Sequence, residues 1–119
     1  MFEKVRFMAV NIIEAPHFDA ESKALGATKE NIKAAHALVQ AALENRIDIV
    51  EVETIRNTSK DKAYRPWIRI KGKLSMIRVA IERYSEGSDL IIVLHAVLPR
   101  DDHTYDEVER LWKKYRSKI

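Results

Sequence analysis

The stretch RNTSKDKAYRPWIRIKGK, residues 56–73, concentrates the side chains of this sequence that could bind a polyanion. It has seven basic residues and one acidic residue, a net charge of +6, whereas the remaining chain has 14 basic and 17 acidic residues, a net charge of −3. Two aromatic residues, Tyr64 and Trp67, lie among the basic ones. Positive charge confined to one segment is typical of a surface that binds nucleic acid.

Alternation within this stretch predicts which side chains share a face. In the strand predicted at WIRIKG, Trp67, Arg69 and Lys71 point to one side of the sheet, away from Ile68 and Ile70. An exposed aromatic ring can stack on a base while neighbouring cations meet phosphates. We therefore predict a non-enzymatic domain that binds single-stranded DNA or RNA with little sequence selectivity. The predicted binding residues are Arg56, Lys60, Lys62, Tyr64, Arg65, Trp67, Arg69, Lys71 and Lys73.

The same stretch has a plainer interpretation as a solvated hairpin. Lysine and arginine on an outer strand discourage edge-to-edge aggregation of sheets. Glu51 and Glu53 on the preceding strand could also pair across the hairpin with Arg69 and Lys71. The sequence leaves both interpretations open.

The loop predicted at residues 14–27 is the other place where chemistry could occur. Glu14, His17, Asp19 and Glu21 crowd into it, and such side chains can bind a divalent ion or act as acid or base. An enzyme or small-molecule binder that uses His17, Asp19 or Glu21 is therefore a less favoured alternative. Acidic loops are common, so we predict no metal site and no cofactor.

Motifs of known catalytic chemistry are absent from the sequence. The three glycines are too widely spaced for a phosphate-binding loop, and no HExxH, GxSxG or CxxC occurs. The absence of cysteine excludes disulfides and thiolate metal sites. His36, beside the apolar face of a predicted helix, and His95, within an apolar strand, are interpreted as structural residues with satisfied hydrogen bonds. Acidic residues in RDDH, residues 100–103, are explained by the dipole of the helix that follows.

The elements that would position these residues follow from hydrophobic periodicity. Residues 74–86 are ambiguous: Leu74, Ile77, Ala80 and Ile81 share a helical face, but alternation also permits a strand with a turn at SEGSD. We favour the helix, which predicts the order β-α-β-β-α-β and a ferredoxin-like α+β fold of one domain, with a four-stranded antiparallel sheet, two helices on one face and a C-terminal amphipathic helix. The predicted strands are Val5–Ile13, Ile47–Ile55, Trp67–Gly72 and Leu90–Leu98, and the predicted helices are Thr28–Arg46, Leu74–Glu86 and Thr104–Ile119.

Surplus apolar surface predicts a partner. The first and last predicted strands are apolar on both faces, so their second face needs cover from either the C-terminal helix or another subunit. We predict self-association as a dimer, and a small dimerising assembly subunit that docks a protein partner is the first alternative function, ahead of the enzyme. The apolar stripe that would dock is Val108, Leu111, Trp112, Tyr115 and Ile119.

Composition sets the remaining bounds. With 119 residues, 46% of them hydrophobic and 33% charged, the chain is long enough to fold as a single globular domain. No apolar run is long enough to span a bilayer, and MFEKVRFMAV lacks the apolar core of a signal peptide, so we expect a cytoplasmic protein. A single glutamine, no cysteine and abundant lysine, arginine and glutamate favour a thermophilic source.

Overall fold

The structure of the protein is a computed structural model that describes residues 7–99 and 104–119. The beginning of the strand predicted from Val5, the charged N-terminal residues 1–6 and the RDDH segment at 100–103 lie outside the described residues. In chain order the elements are β1 (Val10–Glu14), α1 (Phe18–Ala24), α2 (Lys29–Leu43), β2 (Val50–Thr54), α3 (Arg56–Lys60), β3 (Trp67–Gly72), β4 (Arg78–Glu86), β5 (Asp89–Leu98) and α4 (Thr104–Tyr115).

The strands form one mixed sheet of five strands in the order β1-β5-β4-β3-β2. β1 runs parallel to β5, and the other three neighbouring pairs are antiparallel. The predicted ferredoxin-like fold, with a four-stranded antiparallel sheet, is therefore wrong. The loop predicted at residues 14–27 contains α1, and the loop between β2 and β3 contains α3.

The error arises at residues 74–86, where the predicted helix is the strand β4. Val79 and Ile81 enter one apolar cluster while Ala80 enters the other, so β4 is buried on both faces. Ile77, Val79 and Ile81 alternate with Arg78, Ala80 and Glu82 as a strand requires, but the apolar residues of this segment also fill a helical face, so both patterns fit. Gly87, expected to end a helix, instead has φ +60° in a two-residue turn between Glu86 and Asp89. A Gly-Ser turn of this length is a hairpin signal.

The helix predicted at Thr28–Arg46 is confirmed as α2, although it ends three residues earlier. The Thr28 side chain accepts a hydrogen bond from the Asn31 amide, and the Asn31 side chain accepts one from the Thr28 amide. This reciprocal cap satisfies backbone donors that a helix start leaves free. Ala35 and Val39 of α2 are fully buried in the cluster that covers one face of the sheet.

The helix α4 covers the other face. The second cluster combines residues of the strands and the helix, and consists of Ile55, Trp67, Ala80, Ala96, Leu98, Val108, Leu111 and Trp112. Successive residues of β4 alternate between the two clusters, which shows that the clusters lie on opposite faces of the sheet. Of the two covers that the sequence allowed for this face, the chain uses its own C-terminal helix.

Beyond α4 the chain returns along the segment that follows α3. The Arg65 amide donates to the Ser117 carbonyl (N···O 3.0 Å), and the Ile119 amide donates to the Ala63 carbonyl (3.3 Å). Tyr64 and Lys118 form an antiparallel bridge between these two contacts. The C-terminus is thereby fixed beside residues 63–65. Within the described ranges, no helix has the length and apolar character needed to cross a membrane.

Candidate functional site

Trp67, the aromatic residue at the centre of the predicted binding face, is completely buried (0% exposed). Its ring stacks on the imidazole of His95, with centroids 3.8 Å apart and planes 13° apart, and it packs against residues of α4. The face that Trp67 shares with Arg69 and Lys71 is the face that α4 covers. In this position the indole offers no open surface on which a base could stack.

Arg69 and Lys73, two of the three cations that follow Trp67 within residues 56–73, make contacts within the protein. Arg69 forms an ion pair with Glu53, its partner across the sheet, and bonds to the Thr104 hydroxyl. Lys71 is half-buried, and the Lys73 ammonium donates to the Ile47 carbonyl at 2.7 Å. The Arg69–Glu53 pair is the cross-strand contact of the plainer interpretation. Whether these residues bind nucleic acid stays a prediction.

The remaining predicted residues lie before β3, and the returning C-terminus adds cations beside them. Arg56, Lys60 and Lys62 are exposed, whereas Tyr64 and Arg65 are half-buried. We name the following six cations the basic surface: Arg56, Lys60, Lys62, Arg65, Arg116 and Lys118. Residues 56–65 and 116–118 together hold these six basic residues and one acidic residue, a net charge of +5, while the rest of the chain has 15 basic and 17 acidic residues, a net charge of −2.

Aromatic rings contact the Arg116 guanidinium of the basic surface. The Arg116 guanidinium lies 4.1 Å from the centroid of the Tyr64 ring and 5.2 Å from that of Trp112. Tyr64 meets Trp112 edge to face at 5.9 Å. Arg116 also lies 3.8 Å from the Asp61 carboxylate, the one acid within the two segments. Contacts with aromatic faces hold a guanidinium in place without neutralising its charge.

Three polar side chains, Glu82, His95 and His17, form a hydrogen-bonded series under α4. His95 and Glu82 are 3% and 2% exposed, and His95 Nε2 lies 3.0 Å from Glu82 Oε1. His95 Nδ1 lies 3.0 Å from Nε2 of His17, which is half-buried. Arg65 approaches Glu82 at 3.8 Å and covers the Tyr84 ring at 3.8 Å from its centroid. Arg65 therefore connects the basic surface with the hydrogen-bonded series Glu82–His95–His17.

His95 reaches this position because β5 is irregular there. Ala80 pairs with Ala96 and Ile81 pairs with Leu94, so His95 is left without a partner across the sheet. As a result the neighbours His95 and Ala96 both lie on the α4 side, the first against Trp67 and the second in the apolar cluster. A β-bulge of this kind redirects one side chain, and bulges are common beside functional sites.

The hydrogen-bond partners of His95 and His17 indicate which ring nitrogens carry protons. A carboxylate only accepts hydrogen bonds, so Glu82 fixes a proton on His95 Nε2. In the tautomer that carries a proton on His95 Nε2 alone, His95 Nδ1 accepts the proton of His17 Nε2, and the lone pair of His17 then lies on Nδ1. Burial lowers the pKa of His17 most, the charge that His95 carries when it is protonated lowers it further, and Glu21 opposes the change. His17 is consequently a neutral base at neutral pH.

Glu21, which is 9% exposed, closes the other side of His17 together with α4. The Tyr115 hydroxyl donates to Glu21, and its ring stacks on the His17 ring with centroids 3.5 Å apart. The hydrogen bond from Tyr115 lowers the pKa of Glu21 most, against the effect of burial, and Lys114 and Arg110 act in the same direction. Glu21 therefore stays ionised and keeps Tyr115 against His17.

The acidic residues of the predicted 14–27 loop do not converge on one point. Glu14 pairs with His36 at 2.8 Å, and Asp19 pairs with Lys23 at 2.8 Å within α1. Within residues 7–99 and 104–119, no group of three potential ligands is close enough to hold a metal ion. The interpretation of His36 as a satisfied structural histidine is confirmed by its contact with Glu14.

The stripe proposed for a dimer is mostly used within the chain. Val108, Leu111 and Trp112 are buried on the face of α4 that packs against the sheet, and Tyr115 lies on His17. Ile119, at 79% exposure, is the exception. The apolar surface of α4 is therefore no longer an argument for a protein partner. The oligomeric state stays a prediction.

Sequence reasoning missed Glu82, His95 and Tyr115 as members of one site. A usable signal was present: His95 interrupts the apolar strand DLIIVLHAVL and Glu82 directly follows Val79, Ala80 and Ile81, and such polar residues are informative when they are buried. The contacts themselves join residues 78 and 94 positions apart, His17 to His95 and Glu21 to Tyr115. No protein-family model, curated protein or solved structure matches this chain, so its function has to be inferred from its own residues.

Proposed function

We propose that the protein binds single-stranded nucleic acid through the basic surface, with little sequence selectivity. The observation that carries the proposal is the bridge between Tyr64 and Lys118. It joins two basic segments that are distant in sequence and concentrates a net charge of +5 on a chain whose total is +3. Localised charge of one sign attracts a polyanion and releases its counterions on binding.

The state of the individual side chains supports the proposal. In the described part of the chain, Lys60, Lys62 and Lys118 are exposed and take part in no ion pair. Their ammonium groups can therefore meet phosphates without breaking an internal contact. The Arg116 guanidinium, held over Tyr64, offers a planar cation of the kind on which unstacked bases pack. Contacts with phosphates and base faces carry little sequence information.

Fluorescence anisotropy with labelled single-stranded RNA and DNA at several salt concentrations tests the proposal. Lys60→Ala/Lys62→Ala should weaken binding to all sequences and reduce the log–log salt slope by about 1.4, at about 0.7 per lost contact with a single strand. The matched control is Lys29→Ala/Lys33→Ala, which removes the same charge from exposed positions of α2. Equal weakening by both pairs, or no binding by the wild-type protein at low salt, would contradict the proposal.

The proposal includes a location in the cell and an oligomeric state. The proposed site of action is the cytoplasm, where single-stranded RNA is abundant. Self-association is not required, because one chain contributes both basic segments. Sedimentation of the free protein and of its complex would show whether the bound species contains one copy of 13.8 kDa or two.

A further inference from the structure

The hydrogen-bonded series Glu82–His95–His17 is costly to bury, and the protein provides partners for only some of the polar atoms in this region. Burying ionisable groups costs free energy that well-packed apolar residues would avoid. Two buried atoms in this region, Trp67 Nε1 and Glu82 Oε2, have no hydrogen-bond partner within the described residues. They belong to residues that face each other directly across β3 and β4. A core built for stability alone would not keep an unpaired indole donor beside a buried carboxylate oxygen whose ion pair with Arg65 is as long as 3.8 Å.

The arrangement has the form of an oriented base. Glu82 orients His95, His95 orients His17, and the stacked Tyr115 ring fixes the plane of the His17 imidazole. Nδ1 of His17 takes no hydrogen bond from the residues that the structure describes. A base whose reactive nitrogen is free and whose other nitrogen is held by a second group has the geometry used in general acid–base catalysis.

The base is connected to the basic surface through its partner residues. Tyr115, which stacks on His17, directly precedes Arg116, and Arg65 reaches from the basic surface to Glu82. Beside His17, Lys114 lies 3.4 Å and Arg110 3.7 Å from Glu21, and Lys114 acts electrostatically on His17 itself. A phosphodiester at His17 would therefore meet cations on the side of Glu21. Cations placed near a reacting phosphate stabilise the negative charge of its transition state.

We infer that His17 is the general acid–base group of a site for RNA, in which the substrate is the ribose-phosphate backbone of a single strand held on the basic surface. In the step that this geometry supports, His17 Nδ1 accepts the proton of a ribose 2′-hydroxyl, and the 2′-oxygen attacks the adjacent phosphorus. The bond from phosphorus to the 5′-oxygen breaks, and the proton returns to that oxygen. The products are a 2′,3′-cyclic phosphate and a 5′-hydroxyl, so no further reactant is needed.

His95 and Glu82 act as positioning residues in this scheme. When His17 accepts a proton on Nδ1, its Nε2–H becomes a charge-assisted donor to His95 Nδ1. The proton on His95 Nε2 stays on that nitrogen and remains hydrogen-bonded to Glu82. The charged and titratable groups that surround the pair are Glu21 from α1, Glu82 from β4, Arg65 from the segment before β3, and Lys114 and Tyr115 from α4. Glu82→Gln should therefore shift the pH profile of cleavage, since it weakens the orientation of His95 without removing the base.

The inference rests on the proposed function, and the test separates the two. The wild-type protein is incubated in EDTA with labelled single-stranded RNA and with the same sequence as DNA, and binding and cleavage are measured on the same samples. We expect both strands to bind, and only the RNA to be cut to a 2′,3′-cyclic phosphate. His17→Gln should reduce cleavage by at least about 100-fold while binding persists. The matched control is His36→Gln, which removes a histidine that also pairs with a glutamate but lies on α2.

Each result decides the matter. Binding without RNA cleavage by the folded wild-type protein would overturn the catalytic inference and leave the binding proposal standing. Cleavage that survives in His17→Gln would also overturn it. Failure to bind either strand would contradict both. As a readout independent of activity, ¹⁵N NMR should find the His17 proton on Nε2, and a neutral ring protonated on Nδ1 instead would refute the proposed orientation.

Discussion

Trp67→Ala is expected to destabilise the fold severely, which is the opposite of what an exposed stacking residue would do. An indole that is 0% exposed buries about 150–250 Å². At about 25 cal/mol per Å², loss of that area amounts to about 4–6 kcal/mol, an upper limit because unfolded chains already bury some surface. Substitution of buried tryptophan by alanine typically costs about 3–5 kcal/mol, so we expect a decrease of that size in the free energy of unfolding.

The measurement is urea denaturation followed by circular dichroism. Because small domains are stable by only about 5–15 kcal/mol, the variant should lose a large part of its stability. Trp67→Phe should cost less, since a phenyl ring can still stack on His95 and the unpaired indole N–H is removed. Leu74→Ala is the control: Leu74 is 83% exposed, and the change should stay within about 0.5 kcal/mol.

Equal unfolding midpoints for Trp67→Ala and Leu74→Ala would refute this reasoning. That result would mean that α4 does not cover Trp67 in solution. The open face of Trp67, Arg69 and Lys71 predicted from alternation in the sequence would then be the better description, and Trp67→Ala should weaken single-strand binding instead.

Three further changes test the surroundings of the site. Because the pKa of His17 is lowered from its ordinary value of 6.5, the unfolded chain binds the proton more readily than the folded one. Stability should therefore fall as the pH drops below 6.5. Thermal unfolding at several pH values should show a smaller fall in His17→Gln. Tyr115→Phe removes the main cause of the lowered pKa of Glu21, which should rise in a carboxyl ¹³C titration, with a stability loss of about 1–2 kcal/mol. Gly72→Ala places a Cβ against Ser75 Oγ and 3.1 Å from Leu38, so it should cost about 1–2 kcal/mol in urea denaturation, partly restored in a Ser75→Ala background.

The elements that the sequence predicted correctly are those with one dominant pattern. The helix α2 has an apolar face, polar residues elsewhere and a capping threonine, and β2 and β3 alternate, so each could be identified from its own residues. β4 could not, because its apolar residues fit both the alternation of a strand and one face of a helix. Once α4 and α2 are both in place, the alternation of Val79, Ala80 and Ile81 is clear.

The site was harder to predict than the fold, for two physical reasons. The bulge at His95 depends on how β5 pairs with β4, and pairing of this kind leaves no local mark in LHAVL. Alternation correctly placed Trp67 and Arg69 on one face, but it cannot say whether that face is open or covered. The covering element lies about 40 residues later in the chain, in α4, and only packing brings it to β3.

The helix α4 makes the two candidate functions depend on one packing contact. It buries Trp67, it carries Tyr115 to His17, and its C-terminal continuation brings Arg116 and Lys118 beside Tyr64. A change that separates α4 from the sheet, such as Leu111→Ala, should therefore remove the histidine site and the basic surface together. Changes at Lys60 and Lys62 leave that contact intact, and a change at His17 removes only its stacking on Tyr115, because these side chains lie outside the apolar cluster under α4. Only such changes can distinguish loss of nucleic-acid binding from loss of chemistry, since a variant with α4 displaced would lack both for a structural reason.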